Sequence, residues 1–157
     1  IIIKGGGHGA AAGVTLATER IDDFRRRVNE FYDSLQLKNQ ELYLLPRADV
    51  EIDDFSEINE ELIDNLAKME PFGNGNAEPV LKMTEATVLN VRRMGVDGQH
   101  VKLTLRDKND AALQMLAFNA PEEFFREVGD EVSAWFQPTV NEWQGMKSVE
   151  GRLLHLA

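Results

Sequence analysis

Gly5-Gly6-Gly7-His8 is the first stretch of this 157-residue chain with the makings of a site. Glycines carry no side chain, so their backbone N–H groups can approach an anion closely, and an imidazole adds a donor that is cationic when protonated. Ala10, Ala11, Ala12 and Gly13 follow and would let such a loop pack tightly. The stretch is therefore either a cradle for phosphate or a flexible turn with one incidental histidine. A second set lies further on, in Arg92, Arg93, Lys102, Arg106, Phe118 and Lys147. Cations that track a phosphate backbone and an aromatic ring that stacks on a base together hold a single strand. The same residues also suit an ordinary solvated surface.

A catalytic set is missing from the pattern. His8, His100 and His155 are far apart, and none belongs to an HxxxH pair. Asp22-Asp23 and Asp53-Asp54 stand where helices are expected to start, where carboxylates complement the helix dipole. No Walker loop and no GxSxG elbow is present. Trp135 and Trp143 read as packing residues rather than stacking platforms.

The elements that would position these residues change character near residue 80. Val14 to Ala17 reads as a short strand. Thr18 is expected to cap a helix whose stripe is Ile21, Phe24, Val28, Phe31 and Leu35. Glu41 to Leu45 reads as a strand stopped by Pro46. Ser56 is expected to cap a second helix with the stripe Ile58, Leu62, Leu66 and Met69, ended by Pro71. The segment 70–80, "EPFGNGNAEPV", is rich in Pro, Gly and Asn and makes a natural boundary.

Beyond it the period becomes two. Strands are expected at "TEATVLNVRRM", "HVKLTLRD", "ALQMLAFN", "EVSAWFQPTV" and "VEGRLLHL", with a short helix at "PEEFFREV" between the third and fourth. Val101, Leu103 and Leu105 should face one way and Lys102, Thr104 and Arg106 the other. Three strands, a helix and two strands is the order of a five-stranded OB barrel. The expected class is therefore α+β, an α/β part followed by that barrel.

Composition sets bounds. The chain has no cysteine, which excludes disulfides, thiolate metal sites and a thiol nucleophile and suits the cytoplasm, the expected location. No signal peptide or membrane span is visible. The net charge is -10, which opposes a nucleic-acid partner, but its distribution is uneven. Residues 1–79 hold 16 acids against 8 Lys and Arg, whereas residues 80–157 hold 11 against 9. Eight of the acids crowd into "DVEIDDFSEINEELID", which has no base. A local acidic stretch leaves room for a basic surface elsewhere.

Two motifs carry a resemblance. "GGGHGAAAG", Gly5 to Gly13, resembles the GGGHxxAAG signature of the DHH-associated domain of DHH-type phosphoesterases. "EPFGNGNAEPV" is similar to the EPFGxGNxxP loop of the RecJ branch of bacterial single-strand-specific exonucleases, where an OB domain follows directly. The resemblance implies residues 1–69 as the C-terminal portion of the DHH-associated domain, 70–80 as an interdomain loop and 81–157 as the OB domain. It implies a chain cut from a longer parent whose missing part binds two Mn²⁺ or Mg²⁺ ions and hydrolyses single-stranded DNA from the 5′ end. Gly5, Gly6, Gly7 and His8 would hold substrate phosphate, and no metal ligand or catalytic residue is expected here. The other readings are a non-catalytic adaptor of the same superfamily and a small-nucleotide phosphodiesterase fragment.

Overall fold

The computed structural model describes residues 2–9, 11–36 and 46–157. The strand expected at Glu41 to Leu45 lies outside the described residues. Residues 1–44 and 45–157 form two units.

In the first unit, strand β1 (Ile2–His8) pairs antiparallel with β2 (Ala11–Leu16), and helix α1 (Ile21–Ser34) follows. Gly5, Gly6, Gly7 and His8 are therefore strand residues, not a loop. Gly7 serves the close approach of the two backbones: a Cβ there would lie 2.7 Å from the Ala11 carbonyl oxygen and from Ala12. Thr18 does not cap α1. It opens a 3-10 turn, Thr18–Arg20, and α1 begins after Arg20 with no side-chain cap. Arg25 donates to Asp22, and Arg26 donates to both Asp23 and Glu30. The basic run is thus engaged by carboxylates of its own helix, in exposed pairs worth little individually. The apolar stripe formed as expected, yet Val28, Phe31 and Leu35 are exposed among the described residues.

The second unit starts before the expected boundary. Strand β3 (Val50–Ile52) pairs parallel with the start of β4 (Leu81–Met94). A 3-10 turn, Phe55–Glu57, and helix α2 (Glu60–Ala67) lie between them. The caps are Asp54, which accepts from the Ser56 N–H, and Asn59, whose Oδ1 accepts from the Leu62 N–H at 3.0 Å. Ser56 is the capped residue, not the cap. Phe55 and Ile58 are buried in the same core as Met83, Leu103 and Phe136. The buried carboxylate of Asp107 accepts from the Phe55 N–H at 2.6 Å and from the N–H groups of Asn109 and Ala111. These contacts join residues 46–69 to the strands that follow, so the structure divides near residue 45 rather than at 70–80.

The other strands are β5 (His100–Arg106), β6 (Ala112–Ala117), β7 (Glu131–Trp143) and β8 (Met146–Leu156). The sheet order is β3-β4-β5-β6-β8-β7, and β4 also pairs with β7, so the last five strands close a ring. The closure needs β4 to change partners along its length. It pairs with β7 over Leu81–Thr87 and with β5 over Thr87–Met94. An irregularity between Met83 and Ala86, with Glu85 at φ 57°, bends the strand there. Between β6 and β7 the expected helix is only a 3-10 turn, Glu122–Phe124, which drops Phe124 into the core.

Candidate nucleic-acid interface

Residues directly opposite each other in a ladder project from the same face. Val101, Leu103 and Leu105 are fully buried, so Lys102, Thr104 and Arg106 face outward, as their alternation implies. Register carries this face around the ring. Arg92 on β4 is opposite Lys102, Lys102 is opposite Leu116 on β6, Leu116 is opposite Arg152 on β8, and Arg152 is opposite Gln137 on β7. Phe118 lies in the turn just after β6 and is 64% exposed. Its ring meets His100 edge-on at 5.1 Å, and the Nδ1 of His100 accepts from the Asn119 N–H at 3.0 Å. The ring is steadied on one side and open on the other.

The structure thus gathers Arg92, Lys102 and Phe118 on one surface. They are not equally available. Lys102 donates to Glu150 Oε1 at 2.9 Å, and that carboxylate is only 5% exposed. Asn141 and Ser148 approach the same oxygen at 3.4 and 3.5 Å. Lys102 is therefore a compensated charge rather than the free cation its sequence position suggests. Arg92 is exposed and forms no ion pair among the described residues. Arg106 faces outward but sits at the far end, 3.4 Å from Asp110, in a cleft shared with Glu85, Asp107 and Glu131. Those carboxylates would repel phosphate.

Two of the expected residues point elsewhere. Arg93 is opposite Val101 and therefore has inward parity. It stacks on Phe125, 3.6 Å from the ring centroid, and donates to Glu122 at 2.7 Å. Lys147 is opposite Glu142 on the other face of the β7–β8 hairpin. Gly5 to His8 belong to the other unit. Sequence reasoning missed Arg152, which donates from Nη2 to Glu78 Oε2 at 2.6 Å and from Nε to Gln137 Oε1 at 3.1 Å. Its signal was its place between buried Gly151 and Leu153. It also misjudged Trp143, which is 69% exposed, while Trp135 is buried beside His155 and beneath the Lys82 ammonium.

No three His, Asp or Glu side chains converge into a metal site among the described residues. This donor set does not fit a two-metal centre, and no hydrolytic step is assigned to it. Among the described residues no helix is long and apolar enough to cross a membrane. Residues 45–157 carry 21 acids against 11 Lys and Arg, so the whole net charge of -10 belongs to the unit with the cationic face.

Five paired strands in a closed ring, with one helical turn between the third and fourth, define an OB-type domain. A family model described as the RecJ OB domain matches residues 48–155, and the chain belongs to that family. It is similar to the single-stranded-DNA-specific exonuclease RecJ of Bacillus subtilis, at 32% identity over 143 residues covering 90% of this chain and 18% of the relative. It is also similar to RecJ of Haemophilus influenzae, at 26% identity covering 96% of this chain and 26% of the relative. The chain thus spans 18% and 26% of the lengths of these two curated relatives. The fold matches Thermus thermophilus RecJ in complex with Mn²⁺, with a TM-score of 0.59 and 22% identity, over 99% of this chain and 22% of that one. A Mg²⁺ complex of the same protein matches with the same score.

Proposed function

We propose that this chain is the strand-guiding part of a 5′-to-3′ single-stranded-DNA exonuclease acting in cytoplasmic DNA repair and recombination. In this reading residues 81–157 are a five-stranded OB barrel, and the first unit is the end of a DHH-associated domain. The metal-dependent hydrolysis would reside in a part of the parent outside this chain, with Mn²⁺ or Mg²⁺ activating water there. The barrel would hold the incoming strand, and Gly5, Gly6, Gly7 and His8 on β1 would contribute phosphate contacts in the intact enzyme.

One observation carries the reading. Strand register puts Arg92, Lys102 and Arg152 on a single outward face, and the open ring of Phe118 rests against His100 on the same strand as Lys102. A cation free of internal partners beside a steadied, exposed aromatic ring suits one phosphate and one base. The surrounding surplus of carboxylates makes the binding weak, and the small number of free cations gives it a shallow salt dependence.

The experiment is an anisotropy titration of a 5′-labelled oligothymidylate at several salt concentrations. Arg92→Ala should lower the slope of log affinity against log salt by about 0.7, the value for one phosphate contact on a single strand. Phe118→Ala should weaken binding by roughly 1–3 kcal/mol and leave that slope unchanged. Identical curves for wild type and both variants would refute the assignment of this face.

A further inference from the structure

We infer that the tip of the β7–β8 hairpin is a second base-stacking point, with the Trp143 indole as its platform. This rests on the reading of the outward face as a path for single-stranded DNA and extends that path to the far end of the sheet. Trp143 is 69% exposed and Met146 is 68% exposed. The two are opposite each other across a two-residue turn, Gln144 at φ 51° and Gly145 at φ 77°. Positive φ at both positions is the geometry of a type I′ turn, which holds the flanking residues in fixed register.

Parity places them on the ligand face. Met146, Ser148, Glu150 and Arg152 alternate along β8, and Trp143 faces Met146 as Asn141 faces Ser148. The face that begins at Phe118 and passes Arg152 therefore ends at the indole. Leu116, just before the turn that carries Phe118, is level with Arg152, and six residues of β8 separate Arg152 from Met146. At about 3.3 Å per residue the face runs on for roughly 20 Å to the tip. A stretched strand of about four nucleotides, the lower end of OB footprints, fits that span.

The occupant is a base rather than a protein surface. Two side chains at a hairpin tip offer a few hundred Å² at most, against the roughly 1,200 Å² at which stable protein interfaces begin. The face leading to the tip carries Arg92, which forms no ion pair among the described residues and complements a phosphodiester chain, while Arg152 on the same face is paired with Glu78. A flat indole beside a flexible thioether accepts any base.

The two tryptophans make the test direct, because Trp135 is buried and Trp143 is not. The intrinsic fluorescence of the whole 157-residue chain is followed while a twelve-nucleotide oligothymidylate is added, with anisotropy of a labelled copy measured in parallel. Binding should quench the solvent-exposed emission, Trp135→Phe should keep the quench, and Trp143→Phe should abolish it while keeping most of the affinity. Trp143→Ala should weaken binding by roughly 5- to 150-fold, the range for losing one stacked base, with an unchanged salt slope. If the strand binds but the emission does not change and Trp143→Ala binds equally well, the tip is not a stacking point and the wider reading of the face stands. If the strand does not bind at all, both fall together.

Discussion

Replacing Lys102 by alanine should damage the fold more than it damages DNA binding. Its ammonium lies 2.9 Å from Glu150 Oε1, and the carboxylate is almost wholly buried. The other donors to that oxygen, Asn141 and Ser148, stand at 3.4 and 3.5 Å, at the limit of useful hydrogen bonds. Removing the lysine leaves a buried charge with weak partners, a change that costs about 3–5 kcal/mol where the pair is fully enclosed. Here the ammonium is 26% exposed, so water can enter the gap and the loss should be nearer 2–3 kcal/mol. For a unit of residues 45–157 that is a drop in Tm of about 8–13 °C.

The assay is thermal unfolding of wild type, Lys102→Ala, Glu150→Gln and the double variant. The double variant should recover most of the loss, because the charge that needed a partner is gone. Since Lys102 is already neutralised, its removal should change the salt slope of strand binding by much less than the 0.7 of a free phosphate contact. A Lys102→Ala chain as stable as wild type, with the full slope change, would refute this account and restore Lys102 as a direct DNA contact.

Gly151→Ala should destabilise by about 1–3 kcal/mol in denaturant unfolding, because the new Cβ would overlap Met115 Sδ and lie 2.9 Å from Phe136; a neutral result would mean that this layer of the core can shift. Stability should fall as pH drops from about 7 to 5, in part through His155. Burial against Phe124 and Trp135 holds its pKa below the ordinary 6.5, with Glu123 opposing and Arg126 adding to the shift. A proton then binds the unfolded chain more readily, so this contribution is complete above about 6.5 and is lost as pH falls through the folded value. Denaturant midpoints for His155→Phe should show a shallower slope over that range, and an unchanged slope would assign the effect to other groups. The chain alone, incubated with Mn²⁺ and 5′-labelled single-stranded DNA, should leave the strand intact; progressive shortening by the pure chain would place catalytic residues within it.

The acid surplus and the cationic face have one physical consequence between them. A unit with net charge -10 repels a polyanion at long range, while Arg92 attracts it at contact. Association should therefore be slow at low salt for a nucleic-acid binder, and the strand should be retained by stacking as much as by charge.

Local periodicity was enough to determine strands β4 to β8 and the stripe of α1. The alternation of Val101, Leu103 and Leu105 with Lys102, Thr104 and Arg106 predicted both strand and burial, because side chains on a strand reverse face at every residue. The order of strands around one helical turn was legible for the same reason, and so was the family motif. Caps were less legible: Asp54 and Asn59 flank Ser56 with equally suitable side chains, and only the path of Phe55 into the core selects between them.

What remained hidden depended on residues distant in sequence. Gly5 to Gly7 read as a permissive loop, yet pairing with β2 made them a strand. Lys102 read as a free cation until closure of the ring brought it Glu150 from 48 positions away. Trp135 and Trp143 look alike in sequence; the first lies where β7 packs within the ring, and the second where the hairpin runs beyond it into water. A side chain's type and spacing are local properties, but its availability to a ligand is decided by whichever partner the fold delivers, and that is a property of the closed sheet.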